Sequence, residues 1–123
     1  MFESLKHKVA IEFTREGFQV HYTHWGYKKY DFGMKWSEIS TVYAIQTDPV
    51  TLELWFVAFD GKEGKTNEEM DGWKMLLEKL PCELKGFDIR SVDEAVRNLN
   101  TPFLSWGKPI DSLAKQSAST LRG

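Results

Sequence analysis

The chain has 123 residues, 41% of them hydrophobic, and a formal net charge of −2. That is the size of one domain, able to bury about two-thirds of the surface its unfolded chain would expose. The charge argues against a dedicated nucleic-acid binder, which needs concentrated Lys and Arg. A single cysteine, Cys82, excludes an internal disulfide, and the opening MFESLKHK has no apolar core of the kind a signal peptide carries. The longest apolar run, residues 54–59, falls far short of the roughly 20 residues a membrane helix requires. The expectation is a soluble, cytoplasmic protein in a reducing compartment.

Charge is unevenly spread. Residues 1–35 hold six basic and four acidic groups, residues 36–100 seven and thirteen, and residues 101–123 three and one. The middle of the chain is therefore acidic and would steer a basic partner surface toward it.

In chain order, residues 8–14 alternate, with Val9, Ile11 and Phe13 on one face. That spacing predicts a strand with one wet side. Thr14-Arg15-Glu16-Gly17 reads as a tight turn in which Gly17 supplies a positive φ, and Phe18, Val20 and Tyr22 resume the alternation, giving a hairpin. Another turn falls at Trp25-Gly26-Tyr27-Lys28-Lys29, and Tyr30, Phe32, Met34 and Trp36 then recur at period two as a third strand.

The core is expected from residues 39–47 and 52–59, both rich in β-branched and aromatic residues and joined across Asp48-Pro49. In the second run Leu52, Leu54, Phe56 and Ala58 face one way and Trp55, Val57 and Phe59 the other, which predicts cover on both sides. Residues 62–66 fit a short edge strand kept soluble by its charges.

Thr66-Asn67-Glu68-Glu69 has the pattern of a capping box. Behind it Met70, Trp73, Leu76, Leu77 and Leu80 recur at helical spacing up to Pro81, predicting a helix over 67–80. Ser91-Val92-Asp93-Glu94 repeats the capping pattern ahead of a short second helix whose apolar residues are Val92, Ala95, Val96 and Leu99. Phe103-Leu104-Ser105-Trp106 is too apolar to stand free and should pack on the domain, whereas residues 111–123 are small and polar and should fray.

These elements predict an α+β fold: about six antiparallel strands in a strongly curved sheet or partly open barrel, capped by the 67–80 helix and followed by the short second helix. The domain should span residues 1–110. The runs GFQVHY, YDFGMKWSEISTVYAIQTD and LELWFVAFDGKEGKTNEEMDGWKMLLEKLP resemble bacterial pleckstrin-homology-like domains, through the Trp36-Ser37-Glu38-Ile39 step into a strand and the Leu80-Pro81 helix end. The resemblance covers roughly residues 7–81. It implies a non-catalytic scaffold for lipid or protein binding, and some small bacterial domains of this look are immunity proteins that cap a toxin. Phosphoinositide-binding members cluster basic residues around the first hairpin; here that turn holds only Arg15, beside Glu16.

Enzyme motifs are missing: there is no G-x-S-x-G, P-loop, dinucleotide fingerprint or H-E-x-x-H. His21 and His24, three apart in a strand, face opposite ways and cannot share a metal. Cys82 reads as a small apolar residue filling a gap, and Glu68 and Glu69 as first-turn acids favouring the helix dipole. No cofactor is implied.

Two binding patches remain. Trp25, Tyr27, Lys28 and Lys29 place aromatics and cations in one turn, the residue types enriched at interface hot spots, unless the two rings fold back over the sheet end. The second patch is acidic, residues 60–71 with Glu63 and Glu68, and would meet a cationic protein. The expected function is a protein-binding module, an immunity or adaptor protein for a bacterial partner. The alternative is peripheral binding of anionic lipid through Lys6, Lys8, Lys28 and Lys29, with Trp25 inserting. A homodimer through the 62–66 edge is a further expectation.

Overall fold

The computed structural model describes residues 7–110; Lys6 and the 111–123 tail lie outside them. Three strands, β1 (His7–Phe13), β2 (Gly17–His24) and β3 (Tyr27–Lys35), form one antiparallel sheet in that order. After a 3-10 turn at Trp36–Glu38, β4 (Ile39–Asp48), β5 (Thr51–Ala58) and β6 (Glu63–Asn67) enter a second sheet. Helices α1 (Trp73–Glu83) and α2 (Arg90–Arg97) follow, and then β7 (Phe103–Gly107), which pairs antiparallel with β4. The second sheet therefore runs β6-β5-β4-β7. The α+β class is as expected, but among the described residues the strands form two antiparallel sheets of three and four, with no closed barrel, in place of the expected single curved sheet or partly open barrel of about six strands.

Aromatic packing joins the sheets. Phe18 lies at the centre, its ring 4.9 Å from Phe56, 5.6 Å from Trp36 and 5.9 Å from Phe32. Leu52, Leu54, Phe56 and Ala58 of β5 all point into this core and are buried. On the other face, Glu53, Trp55 and Val57 are only half-covered. Phe59 lies past the strand end and is exposed, so the expected two-sided cover of β5 is partial. On β4, Tyr43 is buried beneath the chain that leaves β7: its hydroxyl accepts the Ile110 N–H, and Thr41 Oγ1 donates to the Lys108 carbonyl.

The expected turn at Thr14–Gly17 is present, with the Gly17 N–H donating to Thr14 Oγ1. The reason for glycine is different. Gly17 does not have a positive φ; a Cβ there would stand 2.0 Å from the Met34 carbonyl oxygen of β3.

Both expected capping boxes fail. Thr66 and Asn67 end β6, and α1 begins only at Trp73. The intervening segment turns on Gly72, at φ 94, and clips onto the free edge of β1, where the Ile11 N–H donates to the Asp71 carbonyl and the Asp71 N–H to the Val9 carbonyl. That tertiary pairing outweighs local capping chemistry. Pro81 does not end α1 but lies inside its last turn, with no N–H to offer the Leu77 carbonyl. The helix runs to Glu83 and closes with the Leu84 N–H on the Leu80 carbonyl. Trp73, Leu76 and Leu80 face the core as expected.

In α2, Ser91 is buried and its hydroxyl bonds the Asp88 carbonyl and the Ser105 hydroxyl of β7. Asp88 supplies the local cap, its carboxylate accepting the Arg90 N–H. Val92 and Ala95 are buried, whereas Val96 and Leu99 are exposed. The apolar segment at 103–106 does pack on the domain, as an edge strand of the second sheet.

Candidate functional site

A two-residue turn, Trp25-Gly26, joins β2 to β3, with His24 opposite Tyr27 across the ladder. Both turn residues have positive φ, 54° at Trp25 and 83° at Gly26. This is the geometry that matches the twist of a hairpin and that Asn-Gly adopts most easily. Gly26 suits it; Trp25, a bulky side chain in the left-handed region, does not.

The rings do not fold back over the sheet. Trp25 is 64% exposed and Tyr27 73%, and Tyr30 is exposed as well. Trp25 meets the His24 ring edge-on at 5.9 Å. Residues 27–31 of β3 are all exposed, so this end of the three-stranded sheet stands in solvent while its other end, at Phe32 and Met34, turns into the core.

A register shift between Val20 and His21 leaves Asp31 without a partner on β2. This bulge changes which face successive β3 residues occupy. Before it, Tyr27 and Lys29 share one face and Lys28 and Tyr30 the other. The Lys28 face also carries His21, whose ring meets Tyr30 edge-on at 5.7 Å and whose Nε2 lies 3.0 Å from Gln19 Oε1. Lys28 reaches across β2 to an ion pair with Glu12 of β1. That ammonium's hydrogen bond holds the Glu12 carboxyl below its ordinary value, against a smaller opposing effect of desolvation.

The cations proposed for lipid are thus partly committed. Lys28 is paired with Glu12, Lys8 with Asp71 at 3.0 Å, and Lys6 lies outside the described residues. Lys29 makes no ion pair among the described residues.

The acidic patch does not form a unit. Glu63 opens β6 of the other sheet and Glu68 lies just past its far end, about 17 Å away at strand rise. Glu68 accepts the Leu52 N–H of β5 at 2.9 Å, and Asp60 accepts the Lys62 N–H, so two of the five acids serve backbone donors. Asp71 is neutralised by Lys8. Glu63 and Glu69 are left exposed.

His21 and His24 face opposite sides, as their spacing requires. Among the described residues no three His, Cys, Asp or Glu side chains converge as a metal site. Cys82 is exposed rather than filling a gap, because α1 continues through it and turns position 82 outward. Among the described residues no helix is long and apolar enough to cross a membrane.

Sequence reasoning found the four hairpin residues but missed Tyr30 and the bulge at Asp31. A bulge leaves no trace in an alternating pattern when the extra residue is polar and the strand end is wet. Compared with protein-family models, with curated proteins and with solved structures, the chain finds no match.

Proposed function

We propose that this chain is a non-catalytic, cytoplasmic protein-binding module of pleckstrin-homology-like build, whose docking surface is the exposed end of the β2–β3 hairpin. The role that fits is an immunity or adaptor protein for a bacterial partner. One observation carries the reading: Trp25 occupies a left-handed turn position, at φ 54, with most of its side chain in solvent. Such a residue is a conformational cost with little burial to offset it, and strained, exposed aromatics are a mark of a working surface. Tyr27 and Lys29 extend this surface along one face of β3, and Tyr30 is exposed on the other.

The lipid reading draws on the same tip but has fewer available cations, since Lys8 and Lys28 are ion-paired. The test is a pull-down from the source cell's lysate at physiological salt with the parent chain and with Trp25→Asn. One stoichiometric protein that the variant loses supports the module. Absence of any such protein, with sedimentation of the parent on anionic liposomes, replaces it with lipid binding.

A further inference from the structure

Resting on the hairpin as the docking surface, the geometry points to how a partner is held: we infer that the open edge of β3 accepts an extended acidic segment as a fourth strand of the first sheet. The two edges of that sheet are treated differently. Along Val9–Ile11 the edge of β1 is covered by the Asp71 clip. β3 has β2 as its one neighbour in the sheet among the described residues, and residues 27–31 are exposed. Alternate residues of an edge strand turn their N–H and C=O groups outward, a ready template for strand addition.

The usable template is short. The bulge at Asp31 breaks the register, so an added strand pairs along residues 27–30 and stops there. Over those four residues each face of the strand offers one aromatic and one cation: Tyr27 with Lys29, and Tyr30 with Lys28. Side chains directly opposite across a ladder touch, so the complementary segment reads apolar, acidic, acidic, apolar. Because that order is palindromic, it holds for parallel and antiparallel addition alike. Lys29 contributes most of the charge preference, being outside any ion pair among the described residues, whereas Lys28 already has Glu12.

A second copy of this chain is a poor occupant. Pairing β3 with itself about the middle of the segment sets Lys28 or Lys29 opposite its own symmetry mate, and like charges directly opposed destabilise a ladder. The partner is therefore a different chain, presenting an acidic strand or unstructured segment.

The probe is a capped hexapeptide, acetyl-Thr-Val-Glu-Glu-Val-Thr-amide, titrated to millimolar concentration at low salt into the isotope-labelled chain, with amide shifts and hydrogen exchange followed by NMR. Slowed exchange confined to amides of residues 27–30, absent with the Val-Lys-Lys-Val analogue, is the expected result. Lys29→Glu should weaken the acidic peptide about fivefold and favour the basic one. No shifts, shifts centred elsewhere, or equal binding of both peptides overturns the inference. If Trp25→Asn still loses a co-eluting protein while the peptide does nothing, strand addition is wrong and the docking surface stands. If the peptide binds and no protein co-elutes, the edge is real and the module reading fails.

Discussion

A Cβ built on Gly64 of β6 would stand 2.1 Å from Cε2 of Phe32 on β3, so the Phe32 ring of one sheet packs against bare backbone of the other. Any side chain at position 64 must displace the ring and disturb its edge contact with Phe18. Gly64→Ala should lower stability by about 1 kcal/mol in urea denaturation, the cost of modest overpacking. In a Phe32→Ala background the same change should turn neutral or stabilising, because glycine inside a strand is itself unfavourable. Additive effects of the two substitutions would show that the ring is not what excludes a side chain there.

Gly72 is constrained twice. Its φ of 94 is left-handed, and a Cβ would lie 2.6 Å from the Ile11 carbonyl oxygen, a backbone atom that cannot swing aside. Gly72→Ala should therefore cost more than Gly64→Ala, about 2–3 kcal/mol. The loss should appear first as faster amide exchange at Ile11 and Asp71, whose N–H groups make the clip between α1's approach and β1. Unchanged protection at those two amides would mean that the clip does not depend on this turn.

The alternation of Val9, Ile11 and Phe13, and of Leu52, Leu54 and Phe56, made the strands and their buried face legible, because period two maps directly onto a pleated sheet. What could not be read was everything decided by contact between distant segments. Thr66 to Glu69 looks like a helix start on local chemistry, yet Thr66 is buried at the end of β6. Ser91 looks like a cap, yet its hydroxyl is spent on Ser105, fourteen residues on. Residues 103–107 form a strand because β4 offers them an edge. At the candidate site, the residue types at 25–29 were visible and their exposure was not: whether Trp25 folds in or out depends on the turn's φ and on how far the second sheet reaches.

The Lys28–Glu12 pair gives stability a pH dependence whose sign follows from the lowered carboxyl. The Lys28 hydrogen bond favours the ionised form in the folded chain. The contribution is present above the unfolded-state value, near the ordinary 4.5, and is lost as pH falls through the lower folded-state value. Asp48 behaves alike, its carboxylate accepting the N–H groups of Val50 and Thr51 in the β4–β5 turn. Urea midpoints measured from about pH 6 down to pH 3 should fall less steeply for Glu12→Gln than for the parent, the two curves converging at the acid end. Added salt should shrink the difference, since the pair is on the surface. Parallel curves would show that Glu12 titrates alike folded and unfolded.

Trp25→Asn separates stability from function at one position. Asparagine tolerates the left-handed region that tryptophan resists, and Asn-Gly is the preferred pair for this type of hairpin turn. The variant should be as stable as the parent or gain roughly 0.5 kcal/mol, read from thermal and urea unfolding. It should also lose whatever protein the parent captures. Tyr27→Ala, at a position with ordinary strand geometry and a largely exposed ring, should leave stability within about 0.5 kcal/mol and weaken capture as well. A Trp25→Asn variant that unfolds more easily would mean that the indole's contacts at the hairpin tip support the fold, and the case for a residue kept there for binding would fall.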